Sequence, residues 1–294
     1  MTTQFFESIE SMRVYVKMNA SLPWETFKPY LDSAVDSFTD RYLPGDFIDA
    51  HTSDATFLTL CRKVLAPLAV YEAADEMSIS IGDSGITVQN DQGKRSPASD
   101  AKIAAAKRNL LQRSNAALSR LLEYVLTTFH DGLENLPLIK KVEGLAVPSL
   151  EVFERYVSLD SDYVAYFSLV TMLRTIQNRL GTMIGEDLLA DCLTSEDEAK
   201  KAIGGKIRAY CAYQCAYLNT SDMTRRERGR GNQTEWRPLI RPLYSDLTET
   251  GNWYKQVADE TLTEIQSMID ALDGKTDNEA GGAHPIHGRH TFMM

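Results

Sequence analysis

The second half of the chain contains a stretch whose side chains could bind phosphate groups. Trp236 lies in it, with Glu227 and Glu235 as the opposing charges. Guanidinium groups bind phosphates well, and an aromatic ring can stack on a nucleic-acid base. The basic members of the stretch are Arg225, Arg226, Arg228, Arg230, Arg237 and Arg241.

The net charge of the whole chain is −10, so any nucleic-acid binding must come from a local patch. Three interpretations of the Arg-rich stretch stay open. It contacts nucleic acid through Arg225, Arg226, Arg228, Arg230 and Trp236, it pairs with an acidic neighbouring subunit, or it is a solvated loop.

Two short motifs resemble catalytic signatures but lack their context. Residues 82–85, Gly-Asp-Ser-Gly, match the string around a serine-protease nucleophile. Such an enzyme also needs a positioned His and a buried Asp in a double β-barrel, which a helical chain does not supply. Residues 204–206, Gly-Gly-Lys, lack the spacing and the Ser or Thr of a phosphate loop. We therefore expect no catalytic residue and no enzymatic activity.

The residues that commonly bind metals also predict no site. His284, His287 and His290 lie in a Gly-rich, polar terminal stretch, where a fixed coordination geometry is not expected. The four cysteines lie in apolar helical patterns and lack the spacing of zinc or redox motifs, so they indicate buried, reduced thiols. We expect neither a metal nor a cofactor.

The surrounding elements are predicted to be mainly α-helical and to form two tandem, divergent modules. A short helix, a long amphipathic helix, a Gly-acid turn and further helices recur about 140 residues apart. Module 1 spans 1–131 and carries a β-hairpin at 77–89, and module 2 spans 147–273 and carries an Arg-rich loop at 221–241. Residues 132–146 are predicted to link the modules, and residues 274–294 to form a flexible tail.

The predicted hairpin and the end of the tail are candidate docking elements. Apolar and polar residues alternate on both sides of Gly82-Asp83-Ser84-Gly85, which is typical of a hairpin. A two-stranded hairpin is marginally stable alone, so it needs a partner surface. We expect Ile79, Ile81, Ile86 and Phe292 to contact a protein partner.

Local signals also predict helix ends. Ser8 and Ser149 are predicted to cap short helices, and Asp160 or Ser161 to cap the long helix that follows. Ser195 and Glu198 have the spacing of a capping box. Pro67 is predicted to kink its helix or start a new one.

The residues from Tyr15-Val16 through Leu65-Ala-Pro-Leu-Ala69 to the hairpin Ile79–Ile86 carry a resemblance. The chain is similar to an uncharacterised family of proteins of roughly 300 residues from Bacteroidetes genomes, phages and prophages. The similarity spans residue 9 to about residue 272. Each predicted module also resembles, in its pattern of elements, the head-to-tail connector (adaptor) proteins of tailed phages.

The connector resemblance implies a structural role without catalytic residues. Connector proteins form rings beneath the portal, so it implies portal or tail proteins and further copies of this chain as partners. It also implies possible non-specific DNA contact, and a location in the bacterial cytoplasm during assembly and then in the virion. Connectors typically have one module where this chain is predicted to have two. The sequence has neither a secretory signal pattern nor an apolar run long enough to span a membrane, so no membrane partner is expected.

Overall fold

The protein is mainly α-helical, as its sequence predicts. The structure, a computed structural model, describes residues 5–18, 22–76, 79–82, 85–88, 100–230, 243 and 246–279. These residues form two compact units. One unit contains the described residues up to 143 together with 159–170, and the other contains 144–158 and the described residues from 171 onward.

The first unit is built around a helix that is buried along most of its length. Its helices are α1 (Ile9–Arg13), α2 (Trp24–Arg41), α3 (Gly45–Ala50), α4 (Ala55–Glu76), α5 (Asp100–Thr128) and α6 (Pro137–Val142). Helix α4 contacts both α2 and α5. Phe57, Cys61 and Leu65 of α4 are fully buried, and each large apolar side chain there contributes about 1.5–3 kcal/mol of burial free energy.

Helices α4 and α5 form an antiparallel pair. Tyr124 contacts Asp54, Ser114 contacts Val64, and Lys107 lies over the ring of Tyr71 at 4.7 Å. The order of these contacts is opposite in the two helices, so the connection between them lies at the end marked by Tyr71. Helix α4 stays one continuous helix through Pro67, so no new helix begins there. The buried Ser114 hydroxyl donates to the Val64 carbonyl at 3.0 Å, close to the turn that Pro67 deprives of a donor.

Two short strands, β1 (Ile79–Gly82) and β2 (Gly85–Val88), lie in the connection between α4 and α5. They pair antiparallel, with Ile79 opposite Val88 and Ile81 opposite Ile86. The register therefore sets apolar residues directly across from each other in both pairs.

The second unit has an equally buried central helix. Its elements are α7 (Leu150–Glu154), the part of α8 (Tyr163–Ile184) that follows Val170, α9 (Glu186–Thr194), α10 (Glu198–Arg230) and α11 (Leu247–Glu279). Helix α10 contacts α7, α9 and α11. Buried residues occur around most of its circumference between Ile203 and Thr220, as expected for a helix surrounded by others.

Helices α10 and α11 also run antiparallel. Lys206 forms an ion pair with Glu264 at 2.5 Å, the rings of Tyr213 and Trp253 lie 6.2 Å apart, and Thr220 lies against Gly251. This order places the start of α11 opposite residues just beyond Thr220. The last turns of α10 therefore continue past the beginning of α11.

Several helix caps differ from the predicted ones. Ser8 and Ser149 cap α1 and α7 as expected. Helix α8 is capped by Asp162, whose carboxylate accepts from the Val164 and Ala165 amides, while Asp160 and Ser161 adopt positive φ. The predictions of Asp160 or Ser161 as the cap were wrong because these residues form the turn before the helix, where short polar residues tolerate positive φ.

Helix α10 is capped by Asp197 instead of the predicted Ser195 and Glu198 box. Its carboxylate accepts from the Ala199 and Lys200 amides, both at 3.0 Å. The Ser195 hydroxyl accepts from the Asp197 amide instead. A carboxylate is as good a cap as a hydroxyl and also complements the positive end of the helix dipole, so Asp197 takes this position.

Helices continue into three stretches that were predicted as linker, loop or tail. Residues 132–146 contain a short 3-10 turn and α6, with Leu138, Val142 and Leu145 buried. Helix α10 extends to Arg230, and α11 extends to Glu279. Isolated glycines such as Gly274 cost only about 1 kcal/mol in a helix, and the Arg, Glu and Lys around them favour it.

No helix in the described part of the chain is long and apolar enough to cross a membrane.

Candidate functional site

The residues predicted to dock a partner fall in different parts of the chain. Ile79 and Ile81 lie in β1 and Ile86 in β2, where Ile81 and Ile86 are direct partners across the two strands. Their side chains lie outside the described residues, and so does Phe292 as a whole. The strands bring Ile79, Ile81 and Ile86 together, and the docking role of all four stays a prediction.

The arginines predicted to contact nucleic acid or a partner lie on a helix where a loop was expected. Arg225, Arg226, Arg228 and Arg230 belong to the last turns of α10. Because α11 begins opposite residues just beyond Thr220, these turns extend past the antiparallel pair. Trp236 lies outside the described residues, as do the side chains of these four arginines.

A cluster of aromatic rings around His51 is the most convergent arrangement in the first unit. The His51 ring lies 4.3 Å from the ring of Phe47 and 4.1 Å from the ring of Phe129. Phe57 completes the cluster, 5.7 Å from Phe129. The cluster joins the end of α3, the beginning of α4 and the chain just after α5.

His51 is fixed by a backbone contact in addition to the rings. Its Nδ1 atom lies 2.7 Å from the Phe47 carbonyl oxygen, so the ring caps the C-terminal end of α3. A donating Nδ1 leaves Nε2 as the acceptor when the imidazole is neutral. Phe47 and Phe57 are close to His51 in the sequence, and Phe129 is brought to it by the packing of α5 against α4.

Asp54 connects this cluster to the α4–α5 pair. One carboxylate oxygen accepts from the Thr56 and Phe57 amides at 2.8 and 2.9 Å, and the other accepts from the Tyr124 hydroxyl at 2.9 Å. The Phe57 amide, with smaller help from Tyr124, Thr56 and His51, lowers the pKa of Asp54. The bond to Asp54 raises the pKa of Tyr124, so its hydroxyl keeps the proton.

This geometry favours a structural role for the Asp54–Tyr124 contact. The carboxylate makes three hydrogen bonds that depend on its charged form, and a tyrosine with a raised pKa is a poor general base. The two groups hold the start of α4 against the end of α5.

The second unit has an aromatic cluster along one side of α10. Tyr156 donates to the Gly205 carbonyl at 3.2 Å, and its ring lies 6.0 Å from the ring of Tyr213. Tyr213 in turn contacts Trp253 and Tyr254 of α11. Burial raises the pKa of Tyr213, and that of Tyr254 to about 12. The raised pKa values keep Tyr213 and Tyr254 protonated, and all four rings pack the helices together.

The cysteines are buried as the sequence predicts. Cys61, Cys192, Cys211 and Cys215 are free thiols with almost no exposed surface. Burial raises the pKa of each, to about 12 for Cys211. Among the described residues, no three His, Cys, Asp or Glu side chains are grouped so that they could hold a metal ion.

Comparisons with known proteins match part of the first half of the chain. Residues 22–131 match a Family of unknown function (DUF6712). The matched segment begins just before α2 and ends just after α5, and it covers less than half of the chain. No curated protein and no solved structure matches the chain.

Proposed function

We propose that this chain is a non-enzymatic virion structural protein of a phage or prophage, of the head-to-tail connector kind. Its proposed partners are portal or tail proteins and further copies of itself, with assembly into a ring on a template. Its proposed location is the bacterial cytoplasm during assembly and then the virion.

The observation that carries the proposal is a repeated order of elements, interpreted as two tandem, divergent modules. A short Ser-capped helix, a long helix, a short helix and a central buried helix occur first as α1 to α4 and again as α7 to α10. A second long helix, α5 or α11, then pairs antiparallel with the central one. Small helical modules of this kind are the resemblance on which the connector proposal rests.

Equivalent residues support the repeat. Asp54 and Asp197 occupy matching places before the central helices, and each accepts from the amides two and three residues later. The central helices of the two copies therefore begin in the same way, which supports the repeat, although Asp caps of this kind are common and Asp162 caps α8 likewise.

The repeat also puts the two predicted contact regions in corresponding positions. The strands β1 and β2 lie between α4 and α5, and the Arg-rich stretch lies between α10 and α11 or at the end of α10. Connections at the ends of paired helices are the parts of such modules that are available to other proteins. This supports docking through both regions.

Binding to a portal tests the proposal. The purified chain should co-sediment with the portal ring encoded beside its gene and form rings visible by electron microscopy on it. Ile81→Asp should abolish this binding because the hairpin would present a charge to the portal. Ser80→Asp, on the same strand, is the matched control and should bind. Failure of the wild-type chain to bind any neighbouring portal or tail protein would contradict the proposal, as would catalytic turnover lost on a point mutation.

A second candidate is a nucleic-acid-binding accessory protein. It is favoured by the position of Arg225, Arg226, Arg228 and Arg230 on helical turns that continue beyond the α10–α11 pair. Fluorescence anisotropy with duplex DNA at about 50 mM salt should then show binding that weakens steeply as salt increases. Replacing the four arginines with Ala should remove it, whereas Lys200→Ala with Lys201→Ala should not. No binding at low salt would exclude this candidate.

A further inference from the structure

The α10–α11 pair has an unsatisfied polar group near one end. Asn219 is 8% exposed, and its side-chain oxygen Oδ1 is buried with no hydrogen-bond partner among the described residues. Thr220, Thr250 and Gly251 lie beside it along the two helices, and Thr220 and Thr250 are fully buried. We call Asn219, Thr220, Thr250 and Gly251 the distal seam.

The two threonine hydroxyl groups of the distal seam donate to backbone carbonyls. The Thr220 hydroxyl donates to the carbonyls of Ala216 and Tyr217, both at 2.9 Å. The Thr250 hydroxyl donates to the Asp246 carbonyl at 3.1 Å. A hydroxyl has one proton, so neither bond leaves a donor for Asn219.

The seam also differs from the rest of the pair in its packing. Toward the other end, aromatic and aliphatic side chains such as Tyr213, Trp253 and Ile265 fill the contact. At the seam, a methyl group on Gly251 would come within 3.1 Å of the Thr220 hydroxyl oxygen. The helices therefore approach closely there with little apolar surface between them.

We propose that Asn219 makes the distal end of the α10–α11 pair a locally unstable segment that opens as a unit. The distal end comprises residues 216–223 of α10 and 247–252 of α11. In the closed pair, burial separates Oδ1 from water, and no described residue donates a hydrogen bond in its place. Opening of the pair restores the hydrogen bond to water. In α10 the distal end is followed directly by the turns that contain Arg225 to Arg230. Opening therefore separates the start of these turns from α11.

Hydrogen exchange measured by mass spectrometry on the full chain tests this device. In the wild type, distal-end amides should exchange at least about tenfold faster than those of residues 203–214 and 258–268. Asn219→Leu replaces the amide with an apolar group of similar size, and should slow distal exchange about fivefold or more.

Thr261→Val is the matched control. Thr261 is buried in α11, but its hydroxyl donates to the Val257 carbonyl at 2.7 Å, so it is satisfied. Its replacement should leave distal exchange unchanged. Two results would overturn the proposal: wild-type distal amides as protected as the rest of the pair, or distal exchange in folded Asn219→Leu at least as fast as in the wild type. These measurements need no partner, so they hold independently of the proposed function.

Discussion

At the scale of single residues, a few polar side chains determine how the chain turns and where helices begin. Ser119 of α5 is buried and accepts from the Tyr163 amide at 2.7 Å while it donates to the Ser161 carbonyl at 3.3 Å. Asp160 and Ser161 have φ of 55° and 57°, a conformation that costs about 1–2 kcal/mol for a non-glycine residue. Ser119 therefore holds a strained turn and ties residues 161–163 to α5 within the first unit.

Ser119→Ala should destabilise the protein by about 1–3 kcal/mol, because it removes the hydroxyl that accepts from the buried Tyr163 amide. Urea unfolding followed by circular dichroism measures the change. Ser168→Ala is the control, since that exposed hydroxyl only bonds its own helix and should cost about 0.5 kcal/mol or less. Equal effects of the two substitutions would contradict the role given to Ser119.

Asp54 predicts a pH dependence of stability. Its pKa is lowered in the folded state, mainly by the Phe57 amide, so it stabilises the fold at pH values above its unfolded pKa of about 3.9. This contribution disappears as the pH falls through the lowered folded value. Asp54→Asn should lower the melting temperature at pH 6, and the difference from the wild type should shrink below about pH 4.

Tyr124→Phe separates the two sources of the stability that Asp54 contributes, which are the Tyr124 hydroxyl and the backbone amides. It removes one hydrogen bond to Asp54 but leaves the Thr56 and Phe57 amides in place. Tyr124→Phe should lower the melting temperature at pH 6 by less than Asp54→Asn does. Its difference from the wild type should also shrink as the pH falls. A difference between Asp54→Asn and wild type that stays constant from pH 3 to pH 7 would show that the charge of Asp54 does not matter.

At the scale of elements, close approach of helices depends on single glycines. Gly204 of α10 lies against α9, and a methyl group there would overlap the carbonyl group of Cys192. The next residue, Gly205, has nothing within 4 Å of the corresponding position. Gly204 is therefore required by the close approach of α9, whereas packing does not require a glycine at position 205.

Gly204→Ala should destabilise the second unit by about 1–3 kcal/mol, since the backbone of α9 must move. Gly205→Ala should be neutral or stabilise by up to about 1 kcal/mol, because alanine favours a helix. Thermal unfolding of both variants measures the contrast. If Gly204→Ala proves as stable as Gly205→Ala, the packing of α9 on α10 is looser than the structure indicates.

At the scale of the whole molecule, the buried thiols report separately on the two units. Cys61 lies in the first unit, and Cys192, Cys211 and Cys215 lie in the second. Burial raises their pKa values, so both access and thiolate formation are suppressed in the folded protein.

Native protein should therefore react with far less than one equivalent of a thiol reagent per chain, and should react fully in denaturant. Mass spectrometry of peptides after pulsed labelling at intermediate urea shows which unit opens first. Cys61→Ser should remove only the signal from the first unit. Rapid labelling of any of the four thiols in native buffer would show that its helix is not packed as described.

The sequence by itself determined the mainly helical class, the buried cysteines and the Ser8 and Ser149 caps. These follow from local spacing and from side chains that bond within their own turn. The longer reach of α10 and α11 was missed because glycines such as Gly229 and Gly274 favoured a loop interpretation, although the Arg, Glu and Lys around them favour a helix.

Only the tertiary structure decided which distant residues meet. Nothing local marks Ser119 as the partner of Tyr163, Phe129 as a neighbour of His51, or Asn219 as an acceptor with no donor among the described residues. These depend on how helices far apart in sequence pack. Asp162 and Asp197 likewise replaced the predicted caps, because the path of the chain into each helix selects which of several neighbouring polar residues reaches the free amides.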